Sequence, residues 1–249
     1  MIKTHGRVLF FVHLCLSKNT ILMRTFFLLL LSVITSRLMS QEYPYPVAGE
    51  FNQAELIIEN IKVTDVETVV TLSVTNQMEK GAWYCADKNI YIYSKQLDKR
   101  FYITSKENIP TCPEKYEFSS IGEKLVFKLN FPSVKYAGNR IDIIEDCNNS
   151  CFYFKDIILD NKLNTDIHLF DFALDQYKNG NYGMAEVNFK KIISNIPDHP
   201  THVYGFAYSY LYKIALKKGD NNLAEKWKAE FIGTNLPNKD FYLENFVAD

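Results

Sequence analysis

Between about Phe51 and Leu159 the chain alternates apolar and polar positions with a period of two, or runs as β-branched and aromatic stretches broken by turn residues. That is the pattern of strands with one buried face. The clearest stretches are 54–63, 68–75, 89–94, 100–104, 124–131, 140–144 and 151–159, separated by turn signals such as Thr64-Asp65, Glu79-Lys80-Gly81 and Ala137-Gly138-Asn139. About seven strands with no helix-period stretch among them predict an antiparallel β-sandwich. Pro110, Pro113 and Pro132 are expected at loops or edges, because proline cannot donate to a sheet ladder.

After a short polar segment at 160–166, the candidate domain boundary, the apolar spacing changes to that of amphipathic helices over 168–178, 182–195, 201–218 and 222–234, with a short segment at 239–246. Gly180, Pro197 and Gly219 punctuate these runs, and Pro200 suits a first helical position. The expected fold class is therefore α+β, with a sandwich over 46–160 and a helical domain over 166–249. Its apolar share and aromatic content, 18 Phe and 16 Tyr in 249 residues, exclude a disordered tail.

Charge changes the picture at the front end. Residues 1–40 carry Lys3, Arg7, Lys18, Arg24 and Arg37 and no acidic residue, the composition of a targeting segment. The best reading starts a signal peptide at Met23, with Arg24 as its basic end, an apolar run at 26–34, and a mature start near Gln41. Residues 1–22 are then an upstream extension, although the apolar run at 8–16 leaves a retained anchor as the alternative. Each run falls short of the roughly 20 apolar residues that span a bilayer. Without residues 1–40 the chain keeps 23 basic and 29 acidic residues, a net of about −6. Its basic residues are dispersed, which argues against a nucleic-acid partner.

Four cysteines follow the signal region, Cys85, Cys112, Cys147 and Cys151, and an even count in an exported chain favours disulfides. Cys147 and Cys151 bracket the turn-rich Asn148-Asn149-Ser150, so they are expected to bridge across a hairpin mouth, leaving Cys85 for Cys112 among the three possible connectivities. Zinc needs two close cysteine pairs, and only one is close. His199 and His202, beside Asp198 in a turn and first helical turn, have no further ligand identified by spacing and read as capping residues, His168 lies near Asp166 and Asp171 in a first helical turn, and Glu145 and Asp146 would face opposite sides of a strand. No cofactor motif, phosphate loop, HExxH or GxSxG pattern occurs.

Two resemblances add to this. Ala173, Tyr177, Gly180, Tyr182, Ala185, Phe189 and Pro197 stand at the offsets of a tetratricopeptide helical hairpin, and Gly219, Asp220 and Ala224 repeat its Gly180, Asn181, Ala185 spacing in a degenerate second pair. The stretch from Ile109-Pro110 through Pro113-Glu114-Lys115-Tyr116-Glu117-Phe118, the residues at 122–132 and 141–145, and Phe152-Tyr153-Phe154 resembles an immunoglobulin-like module of exported bacterial proteins. In that setting Asn148-Asn149-Ser150 is only a turn, whereas a eukaryotic secreted protein would offer it for N-glycosylation. The tetratricopeptide resemblance implies a concave surface for a peptide, lined by Phe170, Leu174, Tyr177 and Lys178 from one helix and Phe206, Ser209, Lys213 and Lys217 from another. Tyr204, Tyr208 and Tyr212 form a stripe that fits either this groove or the core.

Two repeats are fewer than an independent solenoid needs, so the sandwich, Phe241, Tyr242 and Phe246, or a second copy of the chain is expected to cover the open ends. The expected function is a non-catalytic, secreted or periplasmic protein that binds a protein or peptide partner, with no membrane span after processing. A carbohydrate-adhesion module is the alternative, with Trp83 beside Tyr84 as its candidate platform, and an enzyme without a recognisable motif is third.

Overall fold

The computed structural model describes residues 40–247, in which β-strands precede helices in a mixed α+β architecture. Sheet one takes the order β1-β3-β4-β10-β8 and is built from β1 (Gln41–Pro44), β3 (Leu56–Val63), β4 (Glu67–Thr75), β10 (Lys124–Pro132) and β8 (Ser105–Glu107). Sheet two takes the order β2-β12-β11-β6-β7, from β2 (Glu50–Phe51), β12 (Tyr153–Ile158), β11 (Arg140–Glu145), β6 (Ile90–Ser94) and β7 (Lys99–Tyr102). A two-stranded ribbon joins β5 (Trp83–Tyr84) to β9 (Tyr116–Glu117). Every ladder between these strands is antiparallel.

Alternation explains why these segments pair as they do. In β10, Leu125, Phe127, Leu129 and Phe131 are buried while Val126 and Lys128 face outward. Val70, Leu72 and Val74 of β4 and Ile141 and Ile143 of β11 join them in one apolar cluster, so both sheets share a single core. The expected strand at 100–104 is β7, which ends at Tyr102, and the chain then enters β8 of the other sheet at Ser105. Thr104 makes the crossing, its N–H donating to the Asn130 carbonyl at 2.7 Å.

The helices are α1 (Asn161–Lys178), α2 (Tyr182–Ile193), α3 (His202–Lys217) and α4 (Asn221–Ile232), followed by a short α5 (Lys239–Tyr242) that continues as a π-helical turn, Leu243–Val247. The polar segment at 160–166 holds the cap and first turns of α1. Asp160 caps α1, its carboxylate accepting from Leu163 N at 3.0 Å, and the first two turns of the helix occupy the rest. Asn164 and Asp166 are buried in those turns because each has polar partners: Asn164 bonds to Val47 and Ile158, and Asp166 to Lys162 and Tyr204. Pro200 stays outside α3, which starts at His202. Tyr204, Tyr208 and Tyr212 are buried, which settles their stripe as core.

A second apolar cluster fills the helical part, and it includes Ile158 from the end of β12, while the next residue, Leu159, belongs to the sheet core. Consecutive side chains thus enter the two cores. Among the described residues no helix is long and apolar enough to cross a membrane. The signal peptide expected from Met23 and the mature start near Gln41 concern a segment that lies outside the described residues.

Candidate functional site

The disulfide end of the two-sheet module carries a cleft of about 950 Å3. It arises at the β5–β9 ribbon, whose alternation sends two neighbouring rings in opposite directions. Tyr84 turns inward, its ring 6.0 Å from that of Phe127 and its hydroxyl donating to Gln53 Oε1 at 2.9 Å. Trp83 turns outward and is 47% exposed. Burial pushes the Tyr84 hydroxyl well above the usual phenol range, with Glu145 and Glu55 adding to the shift, so it serves as a fixed donor.

The flanks of the cleft are both disulfides, Cys85–Cys112 with Cα atoms 5.3 Å apart and Cys147–Cys151 with Cα atoms 5.6 Å apart, the pairing expected from the spacing. Side-chain amides hold the second loop from below. Asn52 donates to Cys151 O at 2.8 Å and accepts from Tyr153 N at 2.9 Å, and Gln53 donates to Ser150 O at 3.1 Å. Glu145, at the end of β11, is buried and accepts from Asp87 N at 2.6 Å and Phe152 N at 3.1 Å. Burial raises its pKa against the opposing pull of those two backbone donors. Lys106 donates to the carbonyls of Ala86 and Asp87, and burial lowers its pKa.

What stays open on the surface is therefore a short set. Glu55 and Lys115 have no ion-pair partner among the described residues; the Lys115 ammonium instead sits 4.2 Å from the centre of the Trp83 ring. On its other flank Trp83 borders a second hollow of about 430 Å3, with Val74, Met78, Ala82 and Phe118 in its wall. Glu55, Trp83 and Tyr84 line both spaces. Of these residues only the Trp83 and Tyr84 pair was a binding candidate in the sequence, Lys115 and Phe118 having entered only as part of the Pro113–Phe118 stretch. Glu55, Met78 and the Lys115–Phe118 pair around β9 come from three separate segments, and no local spacing links them.

The helical residues expected to line a groove are placed differently. Phe170 is buried with its ring among those of Phe189, Phe206 and Tyr210, and Ser209 is buried with its hydroxyl donating to Gly205 O at 2.9 Å. Both lie inside, because each faces a neighbouring helix or its own preceding turn rather than solvent. Leu174 and Tyr177 are half-buried, and Tyr177 packs against Tyr210 with ring centres 4.9 Å apart. Lys178 and Lys217 are exposed at helix ends. Phe206 meets Tyr242 at 5.0 Å and Phe246 at 5.1 Å, while Lys213 lies over the Phe246 ring at 4.9 Å. The C-terminal segment therefore occupies the part of this face contributed by α3. Phe241, expected to cap with Tyr242 and Phe246, is itself exposed.

No protein-family model, curated protein or solved structure matches this chain. The surface geometry alone must then choose among sites. A third hollow, about 230 Å3, is bordered by Tyr45, Phe51, Ile57 and Phe154, and its polar neighbour His168 is bonded to the Tyr45 carbonyl at 2.8 Å, so it offers little directional recognition. Among the described residues no three His, Cys, Asp or Glu side chains cluster to hold a metal.

Proposed function

We propose that this chain is an exported, non-catalytic interaction protein of a bacterial envelope, which binds a protein or peptide partner through the Trp83 end of an immunoglobulin-like sandwich. The tetratricopeptide-like helices act in this reading as the scaffold behind that site. One observation carries the choice of surface: Trp83 stands exposed between two hollows, whereas Phe206, the centre of the helical face, is covered by Tyr242 and Phe246. The two disulfides support an oxidising compartment.

Affinity enrichment from the exported fraction of the native cell tests the proposal. A partner retained by the wild-type chain should be lost with Trp83→Ala and kept with Phe206→Leu. The reverse pattern would return the site to the helices. Carbohydrate adhesion is the second reading, favoured by the exposed indole alone.

A further inference from the structure

We infer that the Trp83 cleft takes an extended peptide segment that presents a Lys or Arg side chain and, two positions away, an apolar side chain. This rests on the proposed binding role of the sandwich end and names its ligand. The lining of the polar cleft holds Glu55, Asp87 and Glu145 against Lys115, with Lys106 behind Asp87 as a second cation, so its charge balance is still acidic by one. Two of those carboxylates are already engaged: both oxygens of Glu145 accept backbone N–H groups, and one oxygen of Asp87 accepts from Asn89 N at 2.9 Å. Glu55 is the carboxylate left at the rim, beside an indole whose ring already receives one ammonium. A carboxylate next to an aromatic face is a site for a basic side chain, through an ion pair and a cation–π contact together.

Across the indole the second hollow shares Glu55 with the first but carries no further charge, and Val74, Met78, Ala82 and Phe118 make its wall more apolar. A ligand bridging both spaces must therefore be linear and change polarity along its length. An extended peptide does this, since side chains on one face recur every two residues, about 7 Å apart. A neutral glycan fits less well. The amides of Asn52 and Gln53 are turned inward to hold the Cys147–Cys151 loop, which leaves those of Asn148 and Asn149 for sugar hydroxyls, and a neutral sugar does not offset the charge of Glu55 as a basic side chain does. Lys115 also gives the inference a sign: its ammonium repels a basic ligand and would attract an acidic one.

The test is fluorescence anisotropy of the full processed chain with a fluorescein-labelled positional-scanning library of capped hexapeptides. Pools fixed as Lys or Arg, with Leu or Phe two positions on, are expected to bind roughly tenfold tighter than pools with Glu at the basic position. Trp83→Ala and Glu55→Gln should remove that preference, Lys115→Ala should tighten the basic pools severalfold, and added salt should weaken them. Preference for acidic pools, equal binding of all pools, or a Lys115→Ala variant that weakens the basic pools would overturn the inference. So would saturable quenching of Trp83 fluorescence by chitotetraose without any peptide preference, which would make the site a glycan site. If Trp83→Ala loses the native partner while the library shows no basic preference, the ligand class falls and the site stands. If partner binding ignores Trp83, the site falls as well.

Discussion

Glu123, at the entry to β10, shows how one side chain can fix a turn and set its pH response. Its carboxylate accepts from Ser119 Oγ at 2.6 Å, Tyr116 Oη at 2.7 Å, Ser119 N at 2.7 Å and Ser120 N at 3.3 Å. The Ser119 hydroxyl and then the Tyr116 hydroxyl are the main reasons its pKa is held down at about 2, below the ordinary 4.5. A depressed acid binds its proton less tightly in the folded chain than in the unfolded one. Its stabilisation is therefore present above the ordinary value and lost as pH falls from about 4.5 towards 2. Glu123→Gln should lower the urea midpoint at pH 7, and the gap to wild type should narrow across that window. A gap independent of pH would show that the carboxylate charge does not matter there. Glu145 acts with the opposite sign: its raised pKa means that ionisation costs stability as pH climbs through its titration range, although its geometry is what seats Asp87 and Phe152.

At the scale of elements, α3 and the C-terminal segment are fitted to each other at one position. A Cβ on Gly205 would lie 2.5 Å from the Tyr242 ring, closer than real contacts allow. Gly205→Ala should therefore dislodge residues 239–247 and expose them to proteolysis. In a Tyr242→Ala background the same change should be neutral or stabilising by up to about 1 kcal/mol, the helix-propensity gain of Ala over Gly. The disulfides give a second contrast. Cys85–Cys112 closes a separation of 27 residues and Cys147–Cys151 one of 4. Paired Cys→Ser replacement of the first should cost about 2–5 kcal/mol and of the second clearly less, because loop-closure entropy grows with loop length. Elements of this size were largely legible in the sequence. Long strands such as β3, β4 and β10 announce themselves by alternation, and the helices by their apolar spacing and glycines. The two-residue strands β2, β5 and β9 carry too few positions to show a period. The start of α1 was hidden because Asn164 and Asp166 read as surface residues, and apart from Lys162 their partners Val47, Ile158 and Tyr204 lie outside the helix. The cleft at Trp83 was legible only as a pair of adjacent rings, since its charges and its second hollow are assembled by tertiary packing.

Over the whole described chain, strands and helices are joined by bonds that neither part can make alone. Residues from Gln41 onward cluster as one compact unit. Val47 is the clasp: its N–H donates to Asn164 Oδ1 at 3.0 Å and its carbonyl accepts from Ile158 N at 2.9 Å, while Asn164 Nδ2 donates to the Ile158 carbonyl at 2.9 Å. Asn161 reaches the Glu42 carbonyl at 2.8 Å and His168 the Tyr45 carbonyl at 2.8 Å, so β1 and the segment after it are tied along the first two turns of α1. With Asn164 almost fully buried, removing its amide leaves Val47 N–H and Ile158 C=O without those partners inside the protein, a cost of about 1–3 kcal/mol. Asn164→Ala should lower the melting temperature by several degrees, at about 2–4 °C for each kcal/mol in a chain of this size. Wild type should lose its strand and helix signals in one coincident transition, because Ile158 and Leu159 feed one core each and neither core can open without moving the other. Residues 161–249 expressed alone should be partly unfolded or self-associated, with Ile158, Val47 and the clasp missing. Circular dichroism and near-ultraviolet melts of the wild type that separate into two transitions, with Asn164→Ala shifting neither, would show instead that the sheets and the helices are independent bodies, and that the scaffold role given to the helices behind Trp83 has no mechanical basis.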